Sequence, residues 1–296
     1  MTWKPKLSVG MPVYNAAHYL PSAIGCILEQ SFSDLELVIS DNASIDSSFE
    51  VCEEFARSDS RIRLFRNERN LGIAENFNRV FRFSRAPYFF WASSNDWFAP
   101  QFAERCIDAL EYSPHACLCS TQTRFFSSTV EDAVDYADDM AIQSDSPVDR
   151  FWTLQQRLRV NNVMHGVIRR DALVSTRLIG SYYSADCVLA TELALRGKFI
   201  QIAEPLYFRR MTADAATNHM SAAALSSYWA PENEAMPSMQ AWRMNIDLWR
   251  MLICVPLSTV ERLRFMHRVA KLTYWNRAAL VKDISEWIWR PTTTNY

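Results

Sequence analysis

Apolar positions in the first half of this chain fall into short runs that alternate with longer stretches of helical spacing. Leu7 to Met11 is an apolar run that meets Pro12-Val13-Tyr14-Asn15. Leu20, Ala23, Ile24, Ile27 and Leu28 then recur at helical intervals, which predicts a helix over Tyr19 to Gln30. The alternation repeats with a strand from Leu35 to Ser40, a helix from Phe49 to Ala56 and a half-exposed strand from Arg61 to Phe65. A helix entered at Asn70-Leu71-Gly72 continues to Arg82. Tyr88 to Ala92 is apolar and aromatic at every position, the signature of a strand buried on both faces in the middle of a parallel sheet. A helix from Gln101 to Leu110 and a strand from Ala116 to Thr123 follow. Strands alternating with helices of this length predict an α/β fold with a parallel-type sheet and crossover helices.

From Thr129 to Ser146 the periodicity fades and acids accumulate, which reads as a solvated loop. The pattern then predicts a helix over Pro147 to Arg159, a strand over Asn161 to Arg170, and a helix over Ala185 to Arg196 stopped by Gly197. Lys198 to Arg210 reads as a strand broken at Pro205. Beyond Ser221 only helical spacing remains, with Trp242, Trp249, Trp275, Trp287 and Trp289 along it.

Composition narrows the class. Half of the 296 residues are apolar, enough for one large core or two smaller ones. A formal net charge of −2 offers nucleic acid no bulk basic surface. No apolar run is long enough to span a bilayer, and the N-terminus lacks the apolar core of a signal peptide. The seven cysteines are odd in number, scattered and set among apolar neighbours, as reduced thiols of a cytoplasmic protein are. Cys117-x-Cys119 has no second ligand pair, so it does not read as zinc. Six glycines are too few for a glycine-rich phosphate loop.

The candidate chemistry gathers where strands end. Tyr88 to Ala92 runs into Ser93-Ser94-Asn95-Asp96-Trp97, which puts Asp96 just past the carboxyl end of a central strand, where open α/β sheets bind ligands. The same residues also suit a polar turn before the helix near Pro100. Asp41 follows the second strand in the same way. Asp186 opens a helix, where a carboxylate also complements the helix dipole. Arg209 and Arg210 close a strand, and alternation turns only one of them inward.

Taken in order, Pro12-Val13-Tyr14-Asn15, Asp41-Asn42-Ala43-Ser44-Ile45-Asp46, Asn70-Leu71-Gly72 and Asn95-Asp96 with Pro100 resemble the family 2 glycosyltransferases of the GT-A fold. These are inverting, nucleotide-sugar-dependent enzymes. The resemblance runs from Leu7 to about Arg210, with Asn162-x-x-His165-Gly166-x-x-Arg169-Arg170, Ala185-Asp186 and Pro205 to Arg210 in its later part. It implies a Rossmann-like, mostly parallel sheet flanked by helices over residues 1–215. A nucleotide-binding half would occupy about 1–125, an acceptor half 126–215, and a helical region 216–296.

The resemblance also implies roles. Pro12, Val13, Tyr14 and Asn15 would lie against nucleobase and ribose, with Tyr14 as a flat contact. Asp41, beside Asn42, would accept hydrogen bonds from a pyrimidine or ribose, and Asp46 would either support it or cap the next helix. Asn70 and Gly72 would shape a turn near the donor, Gly72 through a positive φ. Family members carry Asp-x-Asp or Asp-Asp where this chain has Ser93-Ser94-Asn95-Asp96, and use it to hold a divalent ion against the donor pyrophosphate. Here Asp96 is the sole carboxylate and Asn95 a neutral co-ligand. A unit charge pair at about 4 Å and an effective dielectric near 20 is worth roughly 4 kcal/mol gross. Mg²⁺ or Mn²⁺ is therefore expected to arrive with the nucleotide sugar, whose phosphates supply the missing charge. Asp186 is the expected general base, and Arg209 or Arg210 the diphosphate clamp. His165 and Trp97 fall on the acceptor side, although a core role for His165 fits as well. The family's later histidine has its nearest counterpart in His219.

The expected partners are a pyrimidine nucleoside-diphosphate sugar and a glycan or lipid-linked acceptor hydroxyl in surface polysaccharide synthesis. The expected location is the cytoplasm or the inner face of the membrane. The helices beyond Ser221, with Arg262, Arg264, Arg268 and Lys271, suit a membrane contact, a dimer or a cover for the core. The depleted acidic stretch carries a competing expectation, a nucleotide-sugar-binding protein of this fold with weak turnover or none.

Overall fold

Complete burial on both faces draws β1 (Leu7–Val13) and β2 (Leu35–Asp41) into the interior of one sheet. The computed structural model describes residues 4–211, 228–229 and 239–288. β1 pairs in parallel with β2 and with β4 (Tyr88–Trp91), and β2 pairs in parallel with β3 (Ile62–Arg66). The crossovers are α1 (Leu20–Leu28), α2 (Ser48–Ser58) and α3 (Ile73–Phe83). This half follows the expected alternation closely.

The second half mixes strand directions. After β5 (Trp97–Phe98) and α4 (Phe102–Tyr112) come β6 (Ala116–Phe126), β7 (Val134–Tyr136), α5 (Pro147–Arg157), β8 (Val167–Arg169), α6 (Arg170–Val174), α7 (Ala185–Arg196) and β9 (Lys198–Arg210). The sheet order is β3-β2-β1-β4-β8-β6-β9-β5, with β7 attached to β6. β8 lies antiparallel to both β4 and β6, while β6 and β9 run parallel.

Three expectations change here. The strand expected over Asn161 to Arg170 is a 3₁₀ turn at Asn162–His165, a three-residue strand and the start of α6. The turn is set by tertiary contact: a Cβ on Gly166 would stand 2.6 Å from the Cys119 carbonyl oxygen, so only glycine lets it approach β6. Pro205 does not break its strand. It sits opposite Gln122 where the β6–β9 register shifts, an irregularity that accommodates a residue without an N–H. The acidic 129–146 segment is only partly solvated, since β7 pairs with β6, Met140 and Ile142 are buried, and Ile142 bridges to Phe199.

Two apolar layers sandwich the sheet. Side chains of α1 and α4 cover one face, among them Leu20, Ile24, Phe102 and Ile107. α3, α5 and α7 cover the other, with Phe81, Phe151 and Leu189. α8 (Gln240–Cys254) and α9 (Thr259–Trp275) back that second layer, Phe265 meeting Phe151 edge-on at 4.8 Å, and α10 (Arg277–Ile288) completes a helical cap. No helix among the described residues is long and apolar enough to cross a membrane.

Candidate active site at the carboxyl end of the sheet

β1, β2 and β4 all end on one edge, and the candidate residues hang from that edge. Pro12 and Val13 are the last residues of β1 and are buried, while Tyr14 just beyond is 36% exposed. Asn15 takes the left-handed conformation (φ 48°). Its backbone N–H donates to Ser44 Oγ at 3.0 Å and its Oδ1 accepts from the Ile45 N–H at 3.0 Å. Asp41 closes β2 fully buried, its Oδ2 accepting from the Ser44 N–H at 3.2 Å and facing Arg66 Nε at 3.3 Å. Its Oδ1 is buried without a hydrogen-bond partner.

The neighbouring residues are scaffold. Asn42 donates to Asn70 Oδ1 and the Gly72 carbonyl and accepts from Asn67 and the Leu71 N–H, so its amide is fully engaged. Gly72 sits at φ 82°, a conformation costly for any side chain. Asp46 accepts from the backbone N–H groups of Ala17 and Ser48, tying the β1 loop to the start of α2. Burial pushes its carboxyl up, but the hydrogen bonds from Ser48 and Ala17 outweigh that and hold it below the usual range.

At the centre, Asp96 is 4% exposed and accepts one hydrogen bond on each oxygen, from the Tyr207 hydroxyl at 2.7 Å and the Arg210 N–H at 2.8 Å. Burial, with Asp96 alongside, pushes the Tyr207 phenol well above its ordinary value, which keeps it a donor. The two arginines separate as alternation requires. The Arg210 guanidinium donates to the carbonyls of Asn95, Ser127 and Ser128 and lies against the rings of Tyr19 and Phe126. Arg209 instead shares the field of Tyr207, His165 and Cys187, and donates to Asn162 Oδ1 at 2.9 Å. Of the pair, Arg209 is the one with a guanidinium largely uncommitted.

The next residue back mirrors this contact. Asn161 Nδ2 donates to Asp186 Oδ2 at 2.9 Å, so consecutive amides hold a carboxylate and a guanidinium. Asn161 Oδ1 is buried with no hydrogen-bond partner of its own, while Asn162 Nδ2 faces Asp138. Asp186 stands in the first turn of α7, after Ser184 at φ 62°. Asp138 joins from the 129–146 segment, accepting from Gln201 Nε2 at 2.9 Å; burial raises its carboxyl despite Gln201 and the nearby Asn162.

His165 is buried, stacks on Tyr207 at 5.1 Å and places Nδ1 2.9 Å from the Trp91 carbonyl oxygen. Burial holds its imidazole below the ordinary value against the pull of Asp96. This is a core histidine inside the site. Trp97 packs edge-on against Phe208 at 5.0 Å. His219 and Trp289 lie outside the described residues. Tyr207 and Asn161 were missed as site residues, although alternation puts Tyr207 on the same strand face as Arg209.

Among the described residues no three His, Cys, Asp or Glu side chains gather as a metal cage. Each Asp96 oxygen keeps one lone pair after its hydrogen bond, and Asn95 and Ser94 supply only neutral oxygens. Such a set fits a hard divalent ion when diphosphate oxygens complete it.

The chain is similar over short spans to named glycosyltransferases. It is 31% identical over 99 residues to glycosyltransferase GlyA of Streptococcus pneumoniae, covering 33% of this chain and 14% of that protein. It is 31% identical over 104 residues to a chondroitin synthase of Escherichia coli, covering 35% and 15%. The chain thus spans less than a sixth of the length of either relative. Among solved structures, S. aureus TarS 1-349 in complex with UDP-GlcNAc superposes with a TM-score of 0.68 at 11% identity, covering 96% of this chain and 80% of that one. The mannosyltransferase PcManGT from Pyrobaculum calidifontis, in complex with GDP-Man and Mn²⁺, gives 0.55 at 15% identity, covering 98% and 89%. The fold is that of the GT-A glycosyltransferases. The model of glycosyl transferase family 2 matches residues 8–179, more than half of the sequence, and the chain belongs to that family.

Proposed function

We propose that this chain transfers a sugar from a nucleoside-diphosphate sugar to an acceptor hydroxyl with inversion at the anomeric carbon. The observation that carries the reading is the pair of consecutive amides Asn161 and Asn162, one contacting the carboxylate of Asp186 and the other the guanidinium of Arg209. A base for the acceptor and a cation for the leaving group are what a single displacement needs on either side of the reacting carbon.

The donor base would lie on Tyr14, with a pyrimidine imide N–H directed at the partnerless Asp41 Oδ1. Arg66 already balances that carboxylate, so the contact is a hydrogen bond rather than a new ion pair. The diphosphate would extend towards Asp96 and Arg209. Mg²⁺ or Mn²⁺, held by Asp96, Asn95 and the diphosphate oxygens, would supply charge neutralisation of the departing nucleotide. Asp186 takes the proton of the attacking hydroxyl as the new bond to the anomeric carbon forms and the bond to the diphosphate oxygen breaks. Asn161 keeps one Asp186 oxygen occupied, which orients the other, and Arg209 receives the charge that leaves. The acceptor is a hydroxyl of a glycan or of a lipid-linked acceptor. The boundary expected between 1–215 and 216–296 lies outside the described residues; the described helices over 240–288 serve as an accessory region to the transferase domain.

Similarity to chondroitin synthase, and to a hyaluronan synthase of Pasteurella multocida at 30% over 118 residues, supports a role in surface polysaccharide synthesis. All seven cysteines are free, which supports a cytoplasmic site.

The test is a thermal-shift screen of nucleoside diphosphates and their sugars with Mn²⁺. Pyrimidine nucleotides should raise the melting temperature, and equal stabilisation by purine nucleotides overturns the role of Asp41. Slow donor hydrolysis that requires Mn²⁺ distinguishes an enzyme from a nucleotide-sugar-binding protein without turnover.

A further inference from the structure

The helical cap presents apolar side chains to solvent on all three of its helices. On α8, Ile246 and Ile253 lie on one stripe, Ile253 being 82% exposed. α9 presents Leu263 and Met266, and α10 presents Val281 and Ile288, each at helical spacing. A groove of about 440 Å³ between the helices, lined by Trp242, Trp249, Tyr274 and Ile284, joins the three stripes into one surface. Together the exposed side chains make more than the isolated apolar residues of an ordinary surface.

Charge says what covers it. Residues 240–288 carry eight arginines and lysines against four acids, +4 in all, on a chain whose total is −2. Arg250, Arg262, Arg277 and Lys282 are exposed within or beside the apolar stripes, and Arg277 lies 4.2 Å from the Tyr274 ring. Trp275 and Trp287 are exposed as well, rings that prefer the boundary between headgroup and hydrocarbon. Apolar stripes rimmed by cations and tryptophans match an anionic bilayer surface. Arg243, Arg264, Arg268 and Lys271 turn toward the body, and of the acids only Glu286 stands exposed beside the stripes, so two copies of this face would still set a net positive charge against itself, which opposes a symmetric dimer.

We propose that the α8–α10 face docks the chain on anionic lipid. The docking surface is tied to the site through α8: Asp247 accepts from the Tyr182 hydroxyl and from Arg177, each at 2.6 Å, and Arg243 donates to the Ser181 carbonyl. These contacts hold the 177–184 segment that opens the helix of Asp186. The inference does not depend on the transferase activity, and its test needs no substrate.

The experiment is co-sedimentation of the full chain with vesicles of phosphatidylcholine alone or in equal parts with phosphatidylglycerol, alongside analytical ultracentrifugation without lipid. Binding is expected only with phosphatidylglycerol and is expected to weaken, not vanish, at high salt, because area and charge both contribute. Ile253→Glu and Val281→Glu alter exposed positions and should reduce binding about tenfold or more, since each puts a charge where lipid should be. Arg250→Glu with Lys282→Glu should do the same while leaving the apolar area intact. Circular dichroism and unchanged thermal melting establish that the variants fold. Failure of the wild-type chain to bind phosphatidylglycerol vesicles overturns the proposal. So does a lipid-free dimer that Ile253→Glu dissociates, because the face would then belong to a second copy.

Discussion

Tyr207 and Arg209 stand two positions apart on one strand and treat the carboxylates around them differently. Tyr207 pins Asp96 by a hydrogen bond, whereas Arg209 keeps its charge available between Asn162 and the fields of His165 and Cys187. Arg209→Ala should therefore weaken UDP affinity and turnover by about tenfold or more, the scale of a lost charge-assisted hydrogen bond. Arg210→Ala should act mainly on stability, since it strips a guanidinium from three carbonyls and two rings. Calorimetric UDP titrations and melting curves of the two variants separate these outcomes, and interchange of the two results refutes the assignment. Asp186→Asn keeps the shape and loses the proposed base, so transfer should fall about 10²–10⁴-fold with UDP affinity nearly intact. Wild-type rates in that variant would leave Asp186 as a helix-end charge. Asn95→Asp should tighten Mn²⁺ binding without nucleotide, and less so with UDP bound, because the diphosphate already neutralises the ion.

At the level of elements, two buried details hold the scaffold. Glu36 lies within the apolar run of β2, fully buried, accepting from Ser8, the Arg85 backbone and guanidinium, and Arg63. Burial pushes its carboxyl up, but those donors outweigh it and the native value lies below the ordinary 4.5. A depressed carboxyl contributes its stability above the unfolded value and loses it as pH falls through the native one. Wild-type stability should thus drop below about pH 4.5, and Glu36→Gln should flatten that part of the profile. The substitution should also cost about 3 kcal/mol at neutral pH, since it breaks a buried, multiply bonded charge. Chemical denaturation across pH reads both effects. Gly166→Ala, whose methyl group would strike the Cys119 carbonyl, should destabilise by about 1–3 kcal/mol. It should also weaken UDP binding, because the displaced turn carries Asn162 and with it the anchor of Arg209.

For the whole molecule, the native state should be stabilised by its donor through mass action. A pyrimidine nucleoside diphosphate at a hundredfold excess over Kd should add about 2.7 kcal/mol. Asp41→Ala should remove that gain while the apo protein loses less, because Arg66 keeps contacts with the Ser44 carbonyl and the Phe49 ring. A melting temperature of Asp41→Ala that still rises with UDP as in the wild type would move base recognition elsewhere. The helical cap adds a second contribution, since it packs on α5 and α7 on one side and offers its apolar face on the other.

The elements of the first half were legible because each strand buries two faces and each helix one, and local periodicity records both facts. Asp41, Asp96 and Asp186 were legible as strand-end and helix-start acids for the same reason. Periodicity could not give the direction of β8, the 3₁₀ turn or the unbroken strand through Pro205, since each depends on a neighbour distant in sequence. Nor could it choose between Arg209 and Arg210. That choice lies in which carbonyls and rings surround each guanidinium, and residues as far apart as 19, 95, 126 and 162 meet only once the sheet has closed. The sequence by itself determined that acids would line the carboxyl edge of an α/β sheet. Only tertiary packing decided which of them are pinned, which are free and which cation faces them.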